Sequence, residues 1–132
     1  MHLIKLKLTF FLVILIFPFF GKSEWIKLFS GRDGTVFYID QETLKVKKNI
    51  RTISIMVDYK NPNIHGDYSL VINREINCME PMHKDLEKNF FSENLGKGSL
   101  SRGSGKVGKP KWEYSAPGSS NGALIKFICN LN

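Results

Sequence analysis

The sequence predicts an α+β fold: a single antiparallel β-sheet of about five to six strands, a C-terminal α-helix packed on it, and one disulfide. Three observations lead there. Apolar and polar side chains alternate through much of residues 25–76, the period of strands with one buried face. Clusters of Gly, Asn, Asp and Pro interrupt the alternation at short intervals, as turns between antiparallel strands require. The period becomes helical only near the C-terminus, where Leu124, Phe127, Ile128 and Leu131 fall at i, i+3, i+4 and i+7.

The first 23 of the 132 residues are set aside from the fold, because they have the grammar of a signal peptide. Lys5 and Lys7 form a basic start, Leu8 to Phe20 is apolar except for Thr9 and Pro18, and Gly21 and Ser23 place small residues before a cut at Glu24. The apolar run is shorter than the about 20 residues that span a bilayer, and no cysteine closes it, so no lipid anchor is expected. Residues 24–132 then make one small exported domain, in the periplasm or at the outer surface of a bacterial cell. The chain carries a net charge of +7, and 42% hydrophobic with 12% aromatic content is enough for a packed core. Length excludes a two-domain nucleotide enzyme, a polytopic membrane protein and a large barrel.

Trp25 to Phe29 reads as the first strand, and Gly31-Arg32-Asp33-Gly34 as the turn into a return strand from Thr35 to Ile39. Asp40 to Thr43 suits one helical turn, because a capping residue precedes polar ones. Leu44 to Val46 follows, and Lys47-Lys48-Asn49 turns the chain again. Arg51 to Tyr59 places Ile53, Ile55, Val57 and Tyr59 on one face. After a loop from Asn61 to Asp67, Tyr68 to Ile76 resumes the alternation, and Met79 to Ser92 reads as extended chain. Gly96 to Lys111 reads as a long mobile loop, Trp112 to Ser115 as a last short strand, and Ser119 or Ser120 as the cap of the helix.

Cys78 and Cys129 are the two cysteines, and in an oxidising compartment they are expected to bond. Closing a loop of about 50 residues stabilises a domain by about 4 kcal/mol on the chain-entropy model. The competing assignment is a reactive or metal-binding thiol pair, which a CxxC motif or a histidine at ligand spacing would support; neither is present.

Few motifs offer chemistry. Gly103-Ser-Gly105-Lys-Val-Gly108 matches G-x-G-x-x-G, but that pattern holds a pyrophosphate only between a strand and a helix N-terminus, and Lys109-Pro110-Lys111 follows instead. Gly98 and Gly103 have the glycine spacing of a phosphate loop, yet Ser104 stands where its lysine belongs. His65 and His83 each precede an aspartate by two positions, Asp67 and Asp85, without HExxH or a nucleophile elbow beside them. Loop or surface histidines explain them better than acid/base chemistry does. No catalytic residue, metal site, nucleotide, nucleic acid or cofactor is assigned. The stronger candidate is basic: Lys97, Arg102, Lys106, Lys109 and Lys111 occur without an acidic residue among them, bracketed by Phe90, Phe91 and Trp112. Such a loop presents positive potential to an acidic protein, a sulfated glycan or a lipid head group, or else merely solubilises the chain.

The order and spacing of several short pieces add a family resemblance. Trp25-Ile-Lys-Leu, Thr35-Val-Phe-Tyr-Ile-Asp40, Asp58-Tyr59, Tyr68-Ser69 running into Cys78, Asn89-Phe-Phe-Ser92 before Gly96-x-Gly98, Trp112, and Pro117-Gly118-Ser119 leading to Cys129 resemble the bacterial surface-adhesin protein E family. The resemblance covers nearly all of residues 24–132. It implies an antiparallel sheet tied to a C-terminal helix by a Cys78–Cys129 bond, attachment to host proteins such as vitronectin, laminin and plasminogen, and homodimers. With it, an exposed face around Tyr68 and Arg74 joins the basic loop as a candidate binding surface. The expectation is therefore a non-enzymatic, adhesin-like protein that engages host matrix or plasma proteins through its sheet face and basic loop. The alternative is a periplasmic structural or assembly partner that pairs an exposed sheet edge with another chain.

Overall fold

In the computed structural model, residues 24–131 are described, and the expected signal peptide lies outside them. Seven antiparallel strands form one sheet: β1 (Trp25–Ser30), β2 (Val36–Lys47), β3 (Ile50–Asp58), β4 (Ser69–Asn77), β5 (Met82–Phe91), and the two-residue strands β6 (Gly105–Lys106) and β7 (Glu113–Tyr114). The order is β1-β2-β3-β4-β5-β6, and β7 also pairs with β5. Among the described residues one α-helix, α1 (Ser120–Cys129), follows.

The alternation places the core where the sequence predicts it. Phe37, Ile39, Ile53, Ile55, Val57, Leu70, Ile72 and Ile76 cluster with Leu124, Ile125 and Ile128 of α1. Burying such side chains contributes roughly 1.5–3 kcal/mol each, so this one interface between sheet and helix dominates the fold. Ser119 caps α1, its hydroxyl oxygen accepting from the Gly122 amide at 3.1 Å. Gly122 lets the helix start close to the preceding segment, because a Cβ there would run into the Ala116 carbonyl. The Cys78–Cys129 bond joins the end of β4 to the end of α1 across a Cα–Cα distance of 5.8 Å.

Four local readings change. Asp40 to Thr43 is not a helical turn but a bulge within β2: the register shifts between Asp40 and Lys45, and the Thr43 hydroxyl donates to the Asp40 carbonyl at 2.6 Å and accepts from the Ser54 amide at 2.9 Å. The polar residues supply turn-like hydrogen bonds, yet pairing with β3 on both sides keeps the chain in the sheet. On α1 the buried stripe runs through Leu124, Ile125 and Ile128, while Phe127 remains 47% exposed at its flank and stacks on Phe29 at 6.0 Å. The sheet's second face is also partly covered, because Met56 is fully buried beneath the turn Asn94–Gly96. Gly96 adopts a φ of +69° there, and a Cβ on it would sit 3.6 Å from the Met56 sulfur. Finally, the Gly96–Lys111 segment does not stand off the sheet as a free loop: it is hydrogen-bonded along β5.

Candidate functional site

The free edge of a sheet exposes a row of unpaired amides and carbonyls, and at β5 the chain itself fills much of that row. The Ser101 amide donates to the Phe90 carbonyl at 3.0 Å, the Val107 amide to the Leu86 carbonyl at 2.9 Å and the Ser115 amide to the Pro81 carbonyl at 2.7 Å. Ser104 adds a side-chain link, its hydroxyl oxygen accepting from the Phe90 amide at 2.9 Å. The Ser101 hydroxyl reaches the carboxylate of buried Asp67, which ties this segment to the Asn61–Asp67 loop as well. The basic residues are therefore displayed from a segment with several fixed points.

Lys97, Arg102, Lys106, Lys109 and Lys111 are all exposed, and none forms a salt bridge among the described residues. They do not form one cluster. Lys109 and Lys111 border a cleft of about 130 Å³ with Asp85, Lys88, Val107 and Glu113. Lys106 lies opposite Glu87 of β5. Lys97 shares a shallow hollow with half-buried Tyr68, near the other end of β5. At about 3.3 Å per residue, the distance along β5 from the level of Asp85 to that of Phe91 is about 20 Å.

Arg74 is not part of an exposed face, which corrects the expectation for it. It is 4% exposed beneath α1; its guanidinium donates to both oxygens of Asp85, at 2.5 and 3.2 Å, and to the Asn121 side-chain oxygen at 2.8 Å. Its position within the alternation of β4 points it to the core side, where Asp85 balances the charge. Burial pushes the Asp85 carboxyl upward, but the hydrogen bond and charge of Arg74, aided by Lys88, outweigh this and hold it below the ordinary 3.8.

The two His-x-Asp pairs have separate fates. His65 is exposed in its loop, whereas His83 is 4% exposed and lies 2.5 Å from the Ser115 hydroxyl through Nδ1 and 3.4 Å from a Glu113 carboxylate oxygen through Nε2. The carboxylate favours a proton on Nε2, so Nδ1 accepts from Ser115. Burial is the main cause that lowers the imidazole below its ordinary 6.5, with the Arg74 charge adding to it. Serine, histidine and glutamate are here in the order of a nucleophile relay, with Ser115 2% exposed at the wall of the groove beside the disulfide. The group pins β7 to β5. Among the described residues, no group of three or more His, Cys, Asp or Glu is placed to hold a metal ion.

Sequence reasoning missed a groove of about 660 Å³ beside the disulfide, with Pro81, Pro117, Gly122 and Ile125 among its lining residues. It is assembled from the turn after β4, the segment before α1 and the helix itself, so no local motif announces it. Tyr114, exposed two residues beyond Trp112, also escaped notice, although apolar side chains two apart on a predicted strand could have signalled the pair.

A disulfide-stapled antiparallel sheet with one covering helix defines a small α+β domain, and its β5 edge displays exposed lysines. The chain belongs to the surface-adhesin protein E family, whose family model, described as "Surface-adhesin protein E", matches residues 25–130. Among solved structures, crystal form II of Haemophilus influenzae protein E is similar at 21% identity and a TM-score of 0.60, covering 81% of this chain and 87% of that one. The Se-Met form of Haemophilus influenzae protein E gives 19% identity and a TM-score of 0.58, covering 78% and 84%. At these identities the likeness establishes the shared fold. No curated protein sequence matches the chain. No helix among the described residues is long and apolar enough to cross a membrane.

Proposed function

We propose that this protein is an exported, non-enzymatic, adhesin-like binding protein that engages host extracellular-matrix or plasma proteins, with vitronectin, laminin and plasminogen the first ligands to test. Family membership over residues 25–130 supports the class. The observation that carries the choice of surface is the unpaired, exposed series Lys97, Arg102, Lys106, Lys109 and Lys111 along the β5 edge, with Tyr68 beside Lys97. Exposed cations of this kind steer an acidic partner and govern its rate of association more than they govern stability. Binding of residues 24–132 to each immobilised host protein is expected to weaken as salt rises. Lys106→Glu with Lys109→Glu is expected to weaken it by about tenfold, while the thermal midpoint stays unchanged. Full binding by that double variant would move the site away from this edge.

A second reading rests on the opposite side of the sheet. Among the described residues β1 has a neighbour on one side only, with Ile26 43% exposed on it, so an envelope partner could add a strand there. Protease treatment of intact cells separates the two. Digestion places the protein at the surface and favours adhesion; protection until the outer membrane is opened favours a periplasmic partner.

A further inference from the structure

Beyond a general attraction for acidic partners, the stretch Lys109 to Tyr114 combines two kinds of side chain that charge steering alone does not need. We infer that it is a subsite for a linear sulfated glycan, a reading that rests on the basic edge being a binding surface. Lys109 and Lys111 are exposed beside the Asp85 cleft. Of the acidic groups around them, Asp85 is engaged by Arg74 and Lys88, and Glu113 lies 3.4 Å from the His83 ring. Neither lysine forms a salt bridge among the described residues, so both ammonium groups are open to an anionic ligand.

The rings lie on the other flank of the same chain. Tyr114 pairs with Met82 and is 64% exposed, and Trp112 is 36% exposed. Lys84, two residues beyond Met82, holds its ammonium 4.7 Å from the centre of the Trp112 ring, which fixes that ring at the edge. Exposed aromatic faces are costly to leave in water, and these two are held in place: the Val107 amide anchors one end of the segment on β5 and the Ser115 amide the other.

A molecule lying along this edge meets ammonium groups on one flank and flat apolar rings on the other. A sulfated polysaccharide presents both complements at once. Its sulfates and carboxylates point outward to the lysines, and the C–H faces of its sugar rings stack on indole and phenol. An acidic peptide satisfies the lysines equally well but has no repeating flat C–H face for the rings.

The test titrates residues 24–132 with a size-defined sulfated heparin hexasaccharide, its de-sulfated counterpart and an acidic peptide of equal charge. The sulfated sugar is expected to bind at physiological salt and the de-sulfated one to bind at least about tenfold more weakly. Tyr114→Ala, at an exposed position, is expected to reduce affinity about fivefold without moving the thermal midpoint. Lys109→Glu with Lys111→Glu is expected to reduce it more than tenfold. Absence of hexasaccharide binding overturns the inference; if the host proteins of the previous section still bind, only the glycan subsite fails. Equal binding of the acidic peptide, or an unchanged affinity in Tyr114→Ala, also overturns it, because charge alone then suffices.

Discussion

The two lateral edges of the sheet meet the same hazard by different means. Beyond β5 the chain returns three times, through β6, β7 and the single bridge between Phe91 and Leu100, and a polar interior holds those returns in place. Beyond β1, among the described residues, nothing returns; the strand is short, and a register shift between Lys27 and Phe29 interrupts its pairing with β2. A bulge and an edge lysine discourage uncontrolled pairing without covering the backbone. The difference separates two uses of an edge. One is built over and becomes a fixed display of lysines and rings, and the other is left available but irregular. Substitutions should therefore be felt strongly on the β5 side and weakly on the β1 side.

The largest effect should come from the link between β4 and α1. Replacing Cys78 and Cys129 by serine is expected to lower unfolding stability by about 4 kcal/mol, read as a fall in the urea midpoint relative to the oxidised protein. Next is Asp85→Ala, which leaves the Arg74 guanidinium buried without its carboxylate and is expected to cost about 3 kcal/mol. Replacing both partners, Arg74→Leu with Asp85→Leu, should recover much of that loss, since an apolar pair needs no counter-charge. A double variant as unstable as Asp85→Ala would show that packing, not the unpaired charge, sets the cost.

Acid should act on the same side. His83 sits below its ordinary 6.5 when folded, so the unfolded chain binds its proton first. Stability from the neutral imidazole is complete above about pH 6.5 and declines as pH falls through that value. Asp85, held below 3.8, contributes stability that is present above about pH 3.8 and is lost under stronger acid. Urea midpoints measured from pH 8 to pH 3 should fall in two stages, and His83→Gln should remove the upper stage only. An upper stage that survives His83→Gln would assign it to another group.

Much of this asymmetry was legible in the sequence at the level of elements and little of it at the level of pairing. Ile53, Ile55 and Val57 declare a buried face by their spacing, and Ser119 with Leu124 and Ile128 declares a capped helix, because both signals are local. The β5 edge is different. Gly103, Gly105 and Gly108 look like loop residues, and what places the segment on β5 is hydrogen bonding from the Ser101, Val107 and Ser115 amides, which every sequence shares. Arg74, expected on an exposed face from the family resemblance, is buried for a related reason: Asp85, eleven residues away, and Asn121 on α1 are brought to it only by the fold. The lysines at 97, 106, 109 and 111 were legible as exposed cations, but their separation along β5 depends on where the fold anchors the chain between them.

The smallest effect on stability should be at the open edge, and it sharpens the comparison most. Ile26 lies opposite Ile39 in the register of β1 and β2, yet it remains 43% exposed while Ile39 is 1% exposed. Its side chain thus borders the core without being enclosed by it. Ile26→Lys is expected to change unfolding stability by no more than about 0.5 kcal/mol, because the new ammonium reaches water along an apolar stem. The same substitution places a second charge near Lys27 on the edge a partner strand would have to approach. If a partner adds a strand at β1, its capture by the wild-type protein should disappear in the variant while binding at the β5 edge continues. A large loss of stability in Ile26→Lys would mean instead that β1 is held as firmly as β5, and the contrast between the two edges would fail.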